Sequence, residues 1–241
     1  RTSIVPAAQR AAAAALAGRR GAVIALDPRS GAILASVSVP DYEPNLIVDP
    51  AQQDVAWQQV NGNRERPLLD RATQGLYPPG STFKIITTTA ALAEGVWQAD
   101  ELFPCGLRWE GRPFGDTLES RPDWRIFEED RAAAGDIVPA QALASSCNPF
   151  YYQMGALLYR RGPSVLMDYA RRMGMGAATG LDLNNPPEVT GQIPPIRATD
   201  EAISSAIGQS NVAVSILQMA HTVAGVANGN TMGPGVPGGA W

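Results

Sequence analysis

The chain has 241 residues, 45% of them hydrophobic and 17% charged, with a net charge of −4 at pH 7. That is ample apolar material for a real core, and the arginines are scattered rather than bunched, which argues against a nucleic acid or an anionic membrane surface as partner. No stretch of about 18 consecutive apolar residues is present and the start lacks a basic-then-apolar leader, so this piece reads as soluble.

In chain order, residues 6–16 are alanine-rich and closed by Gly18, which predicts a short opening helix. Two apolar runs, 21–26 and 32–39, flank Asp27-Pro28-Arg29-Ser30-Gly31, a turn sequence, and predict a β-hairpin. Residues 40–75 lack periodicity and suggest an irregular excursion with one short helix. Pro78-Pro79-Gly80 then introduces a helix over 81–94, with Phe83, Ile86 and Ala90 on one face and Gly95 as its stop. Residues 96–136 mix Gly, Pro, charges and Trp97, Trp109 and Trp124 and read as irregular. Helices are expected over 138–145, 149–159 and 164–173, the second with Asn148 as N-cap and Pro149 at the first helical position. A loop over 180–191 and an apolar helix over 212–227 follow. His221 belongs to that helix and reads as a core residue rather than a catalytic one. The sum is an α+β plan: an antiparallel sheet flanked by helices plus an all-helical subdomain, in which a two-stranded hairpin calls for further strands.

Cys105 and Cys147 are far from the spacing of a structural zinc site, and His221 is the only histidine, so no metal is expected. One disulfide outside the cytoplasm is open to the two cysteines, but two buried free thiols is the favoured reading.

The basic residues are more informative. Of nineteen Lys and Arg, Lys84 alone is lysine. Arginine stays protonated in proteins, whereas a buried lysine can lose its proton and act as a base. A GC-rich genome explains the scarcity of lysine but not the position of the exception. In Ser81-Thr82-Phe83-Lys84 a hydroxyl and an amine lie three residues apart, on one helical face and within mutual reach. Desolvation behind Phe83, Ile85 and Ile86 would free the amine to take the serine's proton, and the positive end of the helix dipole disfavours the protonated form. Four letters alone are a weak signal. A second polar cluster, Ser146-Cys147-Asn148, admits two readings: an ordinary helix cap before Pro149, or a proton relay (Ser146) beside a substrate-amide contact (Asn148).

Together, residues 77–84 (YPPGSTFK), 143–148 (LASSCN), 176–183 and Gly208-Gln209, with the hairpin GAVIALDPRSGAILASVS, resemble the transpeptidase domain of class B penicillin-binding proteins over nearly the whole chain. The resemblance implies a β-lactamase/transpeptidase-like fold and a serine-type D-Ala-D-Ala transpeptidase that cross-links peptidoglycan stem peptides through an acyl-enzyme. It implies Ser81 as nucleophile and penicillin target, Lys84 as base, Ser146 as relay, and Asn148 as a contact of substrate and lysine. The Ser81 backbone N–H would be one oxyanion donor. No cofactor is implied. The expected partners are the D-Ala-D-Ala stem peptide, β-lactams and, for a longer parent, the cell-wall synthesis machinery. The expected location is the outer face of the bacterial inner membrane, through an anchor absent here.

Two departures qualify this. The third motif of the family, Lys-Thr-Gly, needs a second lysine that the chain lacks, and Ser210 stands where Gly is common. A missing oxyanion donor costs about 100- to 1000-fold in rate, so little transpeptidation is expected from these residues alone. The expectation is therefore an incomplete transpeptidase domain over 1–241, truncated or frameshifted, with an irregular Gly/Pro-rich tail at 233–241. Two other readings remain: an inert penicillin-binding or sensor module, and a class D β-lactamase or DD-carboxypeptidase relative, against which Ser146-Cys147-Asn148 and YPPGSTFK argue.

Overall fold

The computed structural model describes residues 2–181 and 186–229. The tail expected at 233–241, and positions 182 and 183 of the 176–183 stretch, lie outside the described residues. The elements in chain order are α1 (Pro6–Ala15), β1 (Gly21–Leu26), β2 (Ile33–Val39), α2 (Pro44–Val48), α3 (Gln53–Asn61) and a 3₁₀ turn (Gly80–Phe83) that runs into α4 (Lys84–Ala93). There follow β3 (Phe103–Cys105), β4 (Arg108–Glu110), β5 (Ser120–Pro122), a 3₁₀ turn (Trp124–Phe127), β6 (Gly135–Ile137), α5 (Pro139–Ala144), α6 (Asn148–Arg161), α7 (Val165–Arg172), α8 (Thr199–Ser205) and α9 (Ile216–Asn228). The chain divides into two compact units, one of Arg1–Tyr77, Ala177–Gly191 and Val214–Trp241, the other of Pro78–Gly176 and Gln192–Ala213.

The first unit is built on the hairpin. β1 and β2 pair antiparallel from Gly21↔Val39 to Ala25↔Ala35, with a register shift before Leu26↔Ile33. Asp27 sets the turn by accepting from the backbone N–H of Arg29 and the hydroxyl of Ser30, and Gly31 takes the left-handed φ of +72° that closes it. Ile33, Ala35 and Val37 alternate into the core, as a half-buried strand requires. The free edge of β2 is covered by the opening helix. Gln9 donates to the carbonyl of Ser36 and accepts from its N–H, so one side-chain amide mimics a neighbouring strand, while Val5 N–H donates to Leu34. An exposed strand edge is an aggregation risk, and this contact removes it for β2. α9 lies along β1. The expected helix over 212–227 starts later, at Ile216, because Val214 pairs with Tyr77 as an isolated bridge and Ser215 caps α9 through the N–H of Gln218. His221 is buried, and burial pushes its pKa below the usual value, so it stays neutral. The excursion over 40–75 carries two helices, α2 and α3, rather than one.

The second unit is helical around α4, with α5, α6 and α7 against it and α8 against α6. Gly155 sets the closeness of the last pair, since a methyl group there would stand 2.7 Å from the carbonyl oxygen of Ala202 and 2.8 Å from Cβ of Ala206. The region read as irregular holds two small antiparallel pairs, β3–β6 and β4–β5, so this unit is mainly rather than wholly helical. Their aromatic residues were the missed signal. Trp97, Phe103 and Phe150 meet edge to face with centroids 5.4–6.0 Å apart, and Trp109 packs on Phe114 and Tyr152.

The cysteines are not free thiols. Cys105, at the end of β3, and Cys147, just before α6, form a disulfide across 42 residues of sequence. Their separation gave no hint, because only the β3–β6 pairing and the α5–α6 corner bring them together. Closing a loop of that length stabilises by about 4 kcal/mol in the chain-entropy model. The double variant Cys105→Ser, Cys147→Ser should therefore lose roughly 2–5 kcal/mol of unfolding free energy by denaturant titration. Equal stability of the variant and the oxidised parent would show that the bridge is not formed.

Candidate active site

The 3₁₀ turn before α4 places Ser81 at the surface and Lys84 beneath it. Ser81 is exposed, whereas Lys84, Phe83 and Ile86 are fully buried and Ile85 is half-buried. The chain can turn this sharply because Gly80 has a φ of +55°. A second glycine makes room beside it: Gly80 N–H donates to the carbonyl of Gly208 at 3.0 Å. A Cβ on Gly208 would lie 2.0 Å from the Gly80 carbonyl oxygen. Nothing larger than hydrogen fits at Gly208. Ser210, the residue that departs from the expected glycine, has a φ of +71°, a left-handed conformation that only glycine takes without strain.

The second cluster comes to the same place. Lys84 Nζ donates to the Ser146 carbonyl at 3.0 Å, to Ser146 Oγ at 2.9 Å and to Asn148 Oδ1 at 2.5 Å. Ser146 Oγ in turn donates to Ser81 Oγ at 3.0 Å. The structure thus gathers all four residues singled out from the sequence, Ser81, Lys84, Ser146 and Asn148. It differs in the wiring. Among the described residues Lys84 makes no hydrogen bond to Ser81, because its three donors are taken by the 146–148 turn and Ser146 stands between the amine and the Ser81 hydroxyl.

The capping expectation is also corrected. Asn148 is the first residue of α6, not its cap, and Pro149 is the second. The cap is Cys147, whose Sγ accepts from Phe150 N–H at 3.4 Å. Asn148 is unavailable for that job, since its side chain faces Lys84 and its backbone N–H donates to Asp123 Oδ2 at 2.9 Å.

Burial lowers the Lys84 pKa from 10.5 to about 8; the nearby Asp123 carboxylate opposes this shift and the Arg125 guanidinium adds to it. The Tyr151 ring lies 5.1 Å from Nζ, with its hydroxyl held by Thr88 at 2.8 Å. At pH 7 a pKa near 8 leaves about a tenth of the amine neutral, roughly 300-fold more than at 10.5. The neutral amine has a defined orientation here. The Ser146 carbonyl and Asn148 Oδ1 can only accept, so they hold two N–H groups and leave the lone pair facing Ser146 Oγ, the one partner able to donate a proton. The arrangement can therefore move a proton from Ser81 through Ser146 to Lys84.

Sequence reasoning missed Asp123, Arg125 and Tyr151. Neither Asp123 nor Arg125 falls in a periodic segment, and Tyr151 reads as ordinary core. Among the described residues one set of potential metal ligands converges, Cys105, Asp123 and Cys147. The disulfide occupies both sulfurs, and Asp123 is engaged by Arg125 and Asn148, so this set fits no thiolate-bound ion.

Residues 21–239 match the family described as penicillin binding protein transpeptidase domain, and the chain belongs to that family. It is 34% identical over 224 residues to peptidoglycan D,D-transpeptidase PbpA of Mycobacterium tuberculosis, an alignment covering 84% of this chain and 40% of the relative. It is also 34% identical over 225 residues to peptidoglycan D,D-transpeptidase MrdA of Acinetobacter baumannii, covering 88% of this chain and 31% of the relative. The fold matches penicillin-binding protein A from M. tuberculosis in its penicillin G acyl-enzyme complex, with a TM-score of 0.78 and 33% identity, covering 95% of this chain and 52% of that one. The β-lactamase/transpeptidase-like α+β fold expected from the sequence holds. The chain spans less than half the length of the curated relatives named here.

Because Lys84 is the only lysine, isotope labelling with lysine gives a single side-chain resonance. Followed by NMR against pH, it should titrate with a midpoint near 8. A midpoint near 10.5 would mean that the amine is solvated and the buried arrangement is wrong.

Proposed function

We propose that the chain supplies the nucleophile, base and relay of a serine D,D-transpeptidase that acts on peptidoglycan stem peptides ending in D-Ala-D-Ala and is acylated by β-lactams at the same serine. The observation that carries this reading is the unbroken link from exposed Ser81 Oγ through Ser146 Oγ to the buried, depressed amine of Lys84. In acylation Ser81 Oγ attacks the carbonyl carbon and its proton passes to Lys84 through Ser146. The C–N bond then breaks, and the leaving nitrogen takes the proton back along the same path. Asn148, whose Oδ1 is held by Lys84 and whose amide also donates to the Tyr152 oxygen, has its second amide N–H for the substrate backbone. The Ser81 N–H makes no hydrogen bond among the described residues and is offered to the oxyanion. The relatives named as D,D-transpeptidases and the penicillin G acyl-enzyme of a similar structure support the assignment.

Release of D-alanine leaves an ester on Ser81, and the amine of a second stem peptide attacks that ester, restoring the hydroxyl and forming the cross-link. The disulfide supports a place outside the cytoplasm, where such bridges persist, on the outer face of the inner membrane. No helix among the described residues is long and apolar enough to cross a membrane. The sequence contains no Lys-Thr-Gly, so these residues account for nucleophile activation and not for the whole of substrate binding.

A fluorescent penicillin should label the purified chain covalently, the label surviving a denaturing gel, with Ser81→Ala and Lys84→Ala both unlabelled. Because the base must be neutral, the labelling rate should rise with pH through a midpoint near 8 and level off above it. Absence of label on a folded parent, or label retained in Ser81→Ala, would defeat the assignment.

A further inference from the structure

The turn that carries Ser146 and Asn148 ends α5 in a Schellman motif, with Ser146 N–H donating to the Leu143 carbonyl at 3.1 Å and Cys147 N–H to the Ala142 carbonyl at 3.0 Å. Ser146 has a φ of +52°, a left-handed value that costs a non-glycine residue about 1 kcal/mol or more. Those backbone bonds account for the local φ, while the placement of residues 145–148 against Lys84 falls to contacts from outside α5. Here both flanks are gripped by one buried ion pair. Asp123 is fully buried and sits just ahead of the 3₁₀ turn Trp124–Phe127. Its Oδ1 accepts from the Arg125 backbone N–H at 3.1 Å and from Arg125 Nη1 at 2.7 Å. The other guanidinium nitrogen, Nη2, donates to the carbonyl of Ser145 at 2.5 Å, immediately before Ser146. The other carboxylate oxygen accepts from the N–H of Asn148, two residues after Ser146. The planar fork of arginine suits it to span carboxylate and carbonyl together, and its charge does not titrate. Between those two holds, the Cys147 disulfide fixes the middle of the turn to β3.

A buried ion pair seldom adds net stability over an apolar one, and this one lies beside the machinery rather than within the aromatic core. We propose that Asp123 and Arg125 are the positioning residues of this site: they clamp residues 145–148 from both ends and so hold Ser146 Oγ between Ser81 and Lys84 with Asn148 Oδ1 on the amine. This rests on the transpeptidase reading for its purpose but on the hydrogen bonds for its geometry. The same pair faces the Lys84 amine with opposite charges, Asp123 favouring the protonated form and Arg125 the neutral one, beside the neutral Tyr151 ring.

The test uses the whole chain and the single lysine resonance. Asp123→Asn removes the facing anion, so the Lys84 midpoint should fall below its parent value near 8. Arg125→Ala removes the cation and opens the turn, so the midpoint should rise toward 10.5. Mere loosening of the fold admits water to the amine and raises both. A rise in Asp123→Asn, or an unmoved midpoint in Arg125→Ala, therefore overturns the proposal. If Asp123→Asn fails to give a folded circular-dichroism spectrum, the labelling rates of folded Arg125→Ala and Arg125→Lys decide. In parallel, the rate of fluorescent-penicillin labelling should fall about 10- to 100-fold in Arg125→Ala, the scale of a displacement of about 1 Å. Arg125→Lys, which keeps the charge but not the fork, should recover only part. Parent-like labelling of folded Arg125→Ala overturns the clamp and leaves the transpeptidase assignment standing. A parent that does not label defeats the assignment, and the lysine titration still decides the clamp.

Discussion

Burying an amine is the constraint from which the second unit's architecture follows. Lys84 has no exposed surface, and moving an ammonium out of water costs several kcal/mol unless nearby oxygen atoms and charges compensate. Three oxygens of a single turn supply most of that compensation, and a carboxylate one layer deeper supplies more. The compensation is incomplete by design of the surroundings: Phe83, Ile86 and the Tyr151 face present apolar surface, and the nearest cation repels. The outcome is an amine that is protonated for most of the time at neutral pH and neutral for long enough to act. A fully solvated lysine would almost never be neutral at that pH, and the Asp123 carboxylate keeps burial from lowering the pKa further.

Geometry enforces what electrostatics makes possible. Ser81 must reach the surface while Lys84, three residues on, stays below it, which forces a tight 3₁₀ turn at the start of α4. That turn is kept in place by backbone contact with Gly208, where a side chain has no room. The left-handed Ser210 two residues later is tolerated in the same bend, at a strain that glycine would avoid. On the other side α6 delivers Asn148 by starting at that residue, which works only because a cysteine sulfur takes over the capping. The site is thus assembled from two helix beginnings: the turn into α4 leaves the Ser81 N–H open, while at α6 the N–H groups of Asn148 and Phe150 are taken by Asp123 and Cys147.

Much of this was legible in the sequence, and for physical reasons. The hairpin reads directly, since a proline-glycine turn between two alternating apolar runs has few other solutions, and β1 and β2 fall within a residue of the expected limits. Ser81 and Lys84 read because helical periodicity converts a spacing of three into proximity, and because a lone lysine among arginines marks a position where losing a proton matters. Ser146 and Asn148 read only as one of two possibilities. The sequence could not show that cap and amine contact would be divided between Cys147 and Asn148, since that depends on which group is closer to Lys84 in space. The disulfide, Asp123 and Arg125 were not legible at all. They join segments 20–42 residues apart through strands of three residues, too short to produce a periodic pattern. The bridging role of Ser146 had the same origin, because sequence spacing fixes which residues share a face and not which atom lies between them.

The choice of arginine at 125 has a consequence beyond its fork. Two cations near each other in a poorly hydrated site lower one another's pKa, and if both were lysines they would titrate as a coupled pair, each softening the repulsion felt by the other as pH rises. A guanidinium remains charged throughout that range. Arg125 therefore exerts a constant push on Lys84, while Asp123, tied to Arg125 and to the start of α6, opposes it from a fixed position. With both neighbours held in place, the Lys84 amine changes protonation near neutral pH, at about 8. The link from the Ser81 hydroxyl to that amine runs through the Ser146 hydroxyl, so the chain's one lysine stands where a change of protonation is felt at the exposed serine.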